Sequence, residues 1–373
     1  MSYLLLSTYP QSGTKNSGDD LIGKSLAELI KYVKGSEVKI DFTSAVDNTP
    51  IEVENLTKYK AILAPALRPT LKGNSVAPKN RSMFLEEAYR NAIPIFAVGA
   101  GWKAYPGTLR QSHKLMLDKK DKEQLAKYFG EKNDSYGAHG AISCRDITTE
   151  NLLKNNGINC YGTTGDCGLF DYNYIEKPFV LPKEIKNISI SIPHNNHHKE
   201  MAYLLALKVK KEFSCDVYIT FHGYKGSLEE EIKPHWNRNE VYFVDLSGGS
   251  EKLSFYSNID AHIGFRLHAH IWFLRTRKPS LLLAEDGRGL GHLYTFNGLG
   301  YSAAPKLSLK TSNVFPKFTD SLMKILNRKN PSYDAIEMFK EEMQNGYPTT
   351  QKTLLEIDNL WKVKMKPFLE LIP

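Results

Sequence analysis

The stretch "IDAHIGFRLHAHIWFLRTRKPSLLL", Ile259 to Leu283, decides how the chain is to be read. Its ends, "IDAHIGF" and "PSLLL", are apolar runs of strand length, and "LHAHIWFLRTR" between them has the length of a helix. A buried strand, a helix and a second buried strand make one unit of a parallel sheet. Arg266 and His268 fall at the join. With a helix starting near Leu267, they sit in its first turn, where backbone N–H groups lack intrahelical partners. No Ser, Thr, Asp or Asn stands immediately before Leu267 to cap those donors. Such a helix start attracts anions, and an adjacent guanidinium offers phosphate or carboxylate a bidentate partner. A structural arginine, with core histidines at His268 and His270, accounts for the same residues, so the join alone leaves both readings open.

The alternation continues on both sides. "YLLLST" reads as a first strand. In "GDDLIGKSLAELIKYVKG", Leu21, Ile22, Leu26, Leu29, Ile30 and Val33 share one helical face. "EVKIDF", "KAILAPA" and "IPIFAVGAG" read as further buried strands, with "SMFLEEAYRNA" a helix between the last two. The pattern restarts after "EKPFVLPKEIKN", whose prolines and charges mark a linker near residues 176–186. Then follow "ISISI", a helix from about Lys199 to Phe213, "DVYITF" and "VYFVDL". The expected architecture is α/β, with a first domain over 1–180, a second over 181–330 and closing helices over 331–373. In open sheets of this kind ligands bind at the carboxyl ends of strands, which makes the strand-to-helix loops the places to search.

Composition narrows the class. The 373 residues are 41% hydrophobic and 24% charged, an ordinary globular balance. A net charge of +8 favours anionic partners without choosing among them. The basic residues are spread and form no stripe with aromatics, so nucleic acid is not an expected partner. No run of about eighteen apolar residues suggests a membrane span. "MSYLLLSTYPQSG" lacks the basic leader and the apolar length of a signal peptide. The four cysteines show no C-x-x-C pair and read as reduced, which points to a cytoplasmic protein. "WKVKMKP" near the end offers at most peripheral contact with the inner face of an acidic membrane, and an ordinary exposed helix is the simpler reading.

Four further loops carry chemistry. In "TKNSGDDLIGKSL", Asn16, Gly18 and Asp19 open the first helix, where an N-cap explains Asp19 as well as an active-site role does. In "AISCRDITTENLLKNNGINCYGTTGDCGLF" a strand ends at Arg145, a helix spans roughly Thr149 to Asn155, and a short strand ends at Asp166. "LAEDGRGLGH" places Arg288 among Gly287, Gly289 and Gly291 and reads as a flexible loop with one cation. "SIPHNNHHKE" adds His194, His197 and His198. Without carboxylates or cysteines at matching spacing, no metal is expected there.

Taken together these pieces resemble the polysaccharide pyruvyl transferase family over about residues 16 to 300. "NSGDDLI" resembles its Asn-x-Gly-Asp motif, "IPIFAVGAGW" its strand ending in Gly-x-Gly, and "CRDITTENLLKNNGI" its Arg-Asp/Glu segment with Thr149 in place of Ser. "GDCGLF" resembles the closing Asp, the opening stretch the Arg-Leu-His motif, and "EDGR" a Tyr-Asp-x-Lys element with Arg288 for Lys. Where the family usually has a glycine-rich turn after the third strand, this chain has "APALRP". The resemblance implies two Rossmann-like domains facing across a cleft, as in the B-type glycosyltransferase fold. It also implies transfer of pyruvate from phosphoenolpyruvate onto two hydroxyls of a sugar, forming a cyclic ketal and releasing phosphate. The sugar acceptor, in a surface polysaccharide or its precursor, is lipid-linked, nucleotide-linked or polymeric. His268, Asp166 and Asp19 are the implied catalytic groups. Arg266, Arg288, Arg145, His194, Asn16 and Gly18 are the implied binding groups, and neither a cofactor nor a metal is expected. The competing readings are a nucleotide-sugar glycosyltransferase on the same architecture and a non-catalytic glycan-binding member.

Overall fold

The protein is described here by a computed structural model over residues 1–9, 15–44, 56–69, 79–102, 109–131, 140–194, 196–224, 226–303 and 331–373. The first sheet is built from β1 (Ser2–Ser7), β2 (Lys39–Ser44), β3 (Ala61–Leu63), β4 (Ile95–Ala100) and β5 (Gly140–Cys144). All pairings are parallel, in the order β2-β1-β3-β4-β5. Helices α1 (Ser17–Lys34), α2 (Lys79–Arg90), α3 (Leu109–Ser112), α4 (Lys119–Phe129) and α5 (Ile147–Asn155) belong to this half.

Strand β1 shows why the sheet is covered on both faces. Successive side chains point to opposite sides. Tyr3 and Leu5 join the cluster containing Leu21, Leu26 and Ile30 of α1. Leu4 and Leu6 join Phe84 and Leu85 of α2 and Leu125 of α4. A central parallel strand is therefore apolar throughout, as "YLLL" is. The expected burial of "EVKIDF" is not found: β2 is the edge strand and most of its side chains reach solvent. Its apolar spacing was that of a strand with one covered face, and periodicity does not reveal which strand ends a sheet.

The second sheet consists of β6 (Asn187–Ser191), β7 (Asp216–Phe221), β8 (Tyr242–Asp245), β9 (Ala261–Gly264), β10 (Ser280–Ala284) and β11 (Gly300–Ser302). It too is all parallel, in the order β11-β10-β9-β6-β7-β8. Its helices are α6 (Asn196–Phe213), α7 (Leu228–Glu231), α8 (Leu267–Arg275) and α9 (Gly287–Phe296). The chain passes between the sheets through residues 171–186, which form no helix or strand. Arg275, at the C-terminus of α8, pins this passage: one nitrogen donates to Asp171 at 2.8 Å and another to Ser25 of α1 at 2.8 Å.

Three closing helices follow, α10 (Pro331–Gln344), α11 (Pro348–Leu360) and α12 (Lys366–Glu370), the last two joined by a π-helical turn at Trp361–Met365. Ala335 and Phe339 of α10 pack on the second half. Leu354, Trp361, Met365 and Phe368 instead share a cluster with Tyr3, Leu5 and Leu21 of the first. Tyr3 Oη donates to the Pro373 carbonyl at 2.5 Å, tying the last residue to the first strand. "WKVKMKP" is therefore half inside: Trp361 and Met365 are buried, while Lys362 and Val363 face solvent. Its amphipathic spacing faces a core and not only water. Among the described residues no helix is long and apolar enough to cross a membrane. All four cysteines are buried free thiols.

The Phe368 ring is fully buried, 4.9 Å from Tyr161 and 6.1 Å from Phe96 between ring centres. Phe368→Ala should therefore cost about 3–5 kcal/mol, the range for a large core side chain. Urea unfolding measures it, and a loss below about 0.5 kcal/mol, as for a surface substitution, would contradict the tail's place in the core.

Candidate active site

Parallel strands send their carboxyl ends, and the starts of the helices that follow them, toward one crevice. Here the starts of α1, α5, α8 and α9 meet between the halves. Three carry side-chain caps. Asn16 Oδ1 accepts from Gly18 N at 3.1 Å, Asp146 Oδ1 from Thr149 N at 2.9 Å, and Asp286 Oδ1 from Arg288 N at 3.0 Å. The fourth, α8, begins after Arg266 and has no side-chain cap. The absence of a capping residue before Leu267 thus leaves the free N–H groups of α8 facing the crevice.

Arg266 is buried, and its guanidinium is held without a carboxylate. Its Nε donates to the Ile192 carbonyl at 2.7 Å, Nη2 to Gly223 O at 3.3 Å, and Nη1 meets the His194 ring. Its backbone N–H is taken by Ser191 Oγ at 2.9 Å. Burial pulls the guanidinium pKa down to about 10, with Glu285 opposing and Arg288 assisting. The group remains charged at neutral pH and keeps one face toward the pocket. His194 is itself fixed by its backbone N–H, which donates to Glu285 Oε1 at 3.0 Å.

His268 is the second residue of α8, its Nε2 3.6 Å from Asp166 Oδ2. Asp166 comes from the first half, so the pair spans the crevice. The carboxylate also receives Arg145 Nη1 at 3.4 Å and the Gly168 N–H at 2.8 Å. Burial alone would push its pKa up; His268, Arg145 and the Gly168 N–H outweigh that and hold it below the usual carboxylate range. Arg145 in turn lies 3.7 Å from Asp146, whose own pKa burial raises against the pull of Arg145 and two threonines. The other side of the His268 ring faces α1. A Cβ on Gly18 would lie 2.2 Å from His268 Nδ1, so glycine alone lets this helix start come so near. Two backbone bonds lock the approach, Ser17 N to His222 O at 3.0 Å and Gly248 N to Lys15 O at 2.7 Å.

Asn16, His194, His222, Arg266, His268 and Arg288, with acidic Glu285 and Asp286, line a narrow pocket that opens to solvent. Arg288 points into it while paired with Asp286, its Nε at 3.0 Å and Nη2 at 2.6 Å. The expected flexible glycine loop is not found: Gly287–Phe296 is helix α9. Its glycines serve packing, since a Cβ on Gly291 would lie 2.6 Å from Asp146 of the other half. Nor does a strand end at Asp166; only Thr163 makes a single bridge to Cys144, and Asp166 caps a 3₁₀ turn at Cys167–Leu169. Asp19 follows Gly18 in α1. It accepts from Asn16 Nδ2 at 3.3 Å and faces Arg68 at 3.8 Å. His198 is buried and stacks on Phe265, the side chain of His197 lies outside the described residues, and among those described no group of three His, Cys, Asp or Glu is placed to hold a metal.

Several residues of this site escape a motif reading. His222, buried beneath the pocket, contacts Tyr256 Oη at 2.6 Å, and its burial keeps the imidazole neutral. His292 on α9 is wholly buried behind the Asp166 carboxylate, with its pKa drawn down by burial to about 3 despite Asp166. Arg68 and Arg81 stand on the first-half wall, where "APALRP" and the start of α2 are nearest.

Two Rossmann-like domains whose helix starts converge on a shared cleft define the B-type glycosyltransferase fold. A structure described as a UDP-N-acetylglucosamine 2-epimerase from Listeria monocytogenes is similar to this chain, with a TM-score of 0.53 at 10% identity over 95% of this chain and 90% of that one. So is the MnaA–UDP complex of S. aureus, with a TM-score of 0.51 at 10% identity over 94% and 90%. No curated protein matches the sequence. The chain belongs to the polysaccharide pyruvyl transferase family, whose model matches residues 16–287.

The close approach at Gly18 and the ionised Asp166 each generate a test. Gly18→Ala should displace the His268 ring and cost about 1–3 kcal/mol of stability, the usual price of overpacking; unchanged unfolding would contradict the contact. The folded pKa of Asp166 lies below its unfolded value of about 3.9. Its stabilisation is therefore complete above that value and is lost as pH falls through the folded one. Between about pH 6 and pH 3, the wild type should lose more stability than Asp166→Asn, and parallel denaturation curves would refute this.

Proposed function

We propose that this transferase moves the pyruvyl group of phosphoenolpyruvate onto two hydroxyls of a sugar acceptor, forming a cyclic ketal and releasing phosphate. The observation that carries the reading is the uncapped start of α8 beside a buried Arg266 that, among the described residues, has no carboxylate in hydrogen-bonding contact. A doubly anionic donor supplies what that arrangement lacks. Its phosphate takes the Arg266 guanidinium and the free N–H groups of α8, with Arg288 closing over it from α9.

The reaction needs an acid for the methylene carbon and a route for the hydroxyl protons. His268 serves as the acid. Asp166, held ionised, stabilises the imidazolium from the Nε2 side, while Nδ1 faces the first domain across the cleft. Protonation of the methylene makes the adjacent carbon electrophilic, and one sugar hydroxyl adds there. The second hydroxyl then displaces phosphate. Of the two hydroxyl protons, one replaces that given to carbon and the other leaves with phosphate, so the sum balances. Arg266 and Arg288 neutralise the departing group, so the mechanism draws on no metal or cofactor.

A phosphate-release assay with phosphoenolpyruvate and a panel of sugar acceptors tests the reading. His268→Ala should lower turnover by about 10²–10⁴ with the fold intact, and near-normal turnover would remove His268 from the chemistry. Arg266→Ala should chiefly weaken phosphoenolpyruvate binding, by at least about tenfold in calorimetry; an unchanged affinity would refute the donor site. Turnover should persist in EDTA, and its loss there would contradict a metal-free mechanism.

A further inference from the structure

We propose that the first-domain wall of the cleft is a second anion site, built from Arg68 and Arg81, which receives a phosphate or diphosphate carried by the sugar acceptor. The assignment of that ligand to the acceptor rests on the reading above; the anion site itself rests on the following geometry.

Arg68 projects from the turn after β3. Ala66, at a φ of +50°, turns the chain, and the turn is held on both sides by Ala66 N to Val98 O at 3.1 Å and Gly101 N to Leu67 O at 2.8 Å. The Arg68 side chain is 43% exposed. It is within electrostatic reach of Asp19, Arg145, Asp286 and Arg288, which places it across the cleft from the second domain. Arg81 belongs to the first turn of α2 and is only 2% exposed, yet among the described residues its Nε and Nη2 have no hydrogen-bond partner. The charges acting on it are Arg68, which repels, and Asp19, which attracts.

The charge count is uneven. The one carboxylate that acts on both guanidiniums is Asp19, and it meets Arg68 only at 3.8 Å. A buried cation with two free donors is costly unless something accepts from it. A phosphate oxygen set matches the guanidinium fork, and the first turn of α2 adds its own positive end. With the donor on Arg266 and α8, the acceptor hydroxyls lie between the walls, and an anionic substituent of the sugar extends onto Arg68 and Arg81. Such a substituent comes from a lipid diphosphate or from a nucleoside diphosphate.

Calorimetry separates these possibilities. Inorganic pyrophosphate is titrated into the full-length protein already saturated with phosphoenolpyruvate. The wild type should bind one further equivalent. Arg81→Met and Arg68→Ala should each weaken that binding by at least about tenfold, while phosphoenolpyruvate affinity in the same variants changes by less than about threefold. Arg68→Ala alters a half-exposed side chain, so its result stands even if the Arg81 variant folds poorly. Geranyl diphosphate and UDP are then compared as competitors: the stronger one identifies a lipid-like or a nucleotide-like carrier. Pyrophosphate that binds only by displacing phosphoenolpyruvate, that binds the variants as it binds the wild type, or that neither competitor displaces would overturn the proposal. Were phosphoenolpyruvate itself not to bind, the donor reading would fall, and pyrophosphate binding lost with Arg81 would still support this site.

Discussion

The first turn of α8 is the point on which the rest depends. Its donors open to the cleft without a capping side chain, and the residue that precedes them is a buried arginine whose bonds go to carbonyls and an imidazole. Both features are unfavourable in an isolated fold, since unsatisfied N–H groups and a buried cation each cost free energy. They become favourable together when an anion arrives. The neighbouring helix starts show the contrast, because Asn16, Asp146 and Asp286 close theirs with side-chain oxygens.

The cleft is held to narrow tolerances by contacts that cross it. Gly18 lets α1 lie against the His268 ring, and Gly291 lets α9 lie against Asp146. Ile147 N donates to Thr295 Oγ1 at 2.9 Å, and Ser250 N to Asp20 Oδ2 at 2.6 Å, so both ends of the first domain's wall are tied to the second. The terminal helices add a third tie, since α10 packs on one domain and the Trp361–Phe368 segment on the other. The His268–Asp166 pair needs this fixity. His268 and Asp166 come from different domains, and their separation of 3.6 Å survives only if the domains keep their register.

Much of this is legible in the residues. Alternating apolar runs announce the two parallel sheets, and the bare join at Arg266 announces an uncapped helix start, because both follow from local chemistry. What stays hidden depends on tertiary neighbours. Gly287, Gly289 and Gly291 have the composition of a loop; they lie in a helix, where a Cβ on Gly289 would crowd Ala284 and one on Gly291 would crowd Asp146. "EVKIDF" has the pattern of a strand, but only the sheet order makes it an edge. Arg68 and Arg81 carry no motif, and the fold alone places them beside Asp19. His292 is a lone histidine on an apolar helix, and nothing in its spacing tells that Asp166 lies near. Asp19 is read from its position in a motif, and its approach to Arg68 at 3.8 Å depends on the fold.

The most direct measurement is a crystal structure of the protein soaked with phosphoenolpyruvate. The account predicts the phosphate at hydrogen-bonding distance from the Arg266 guanidinium and the first N–H groups of α8, with the methylene carbon toward His268. A phosphate bound elsewhere, with Arg266 still engaged only by Ile192, Gly223 and His194, would contradict it.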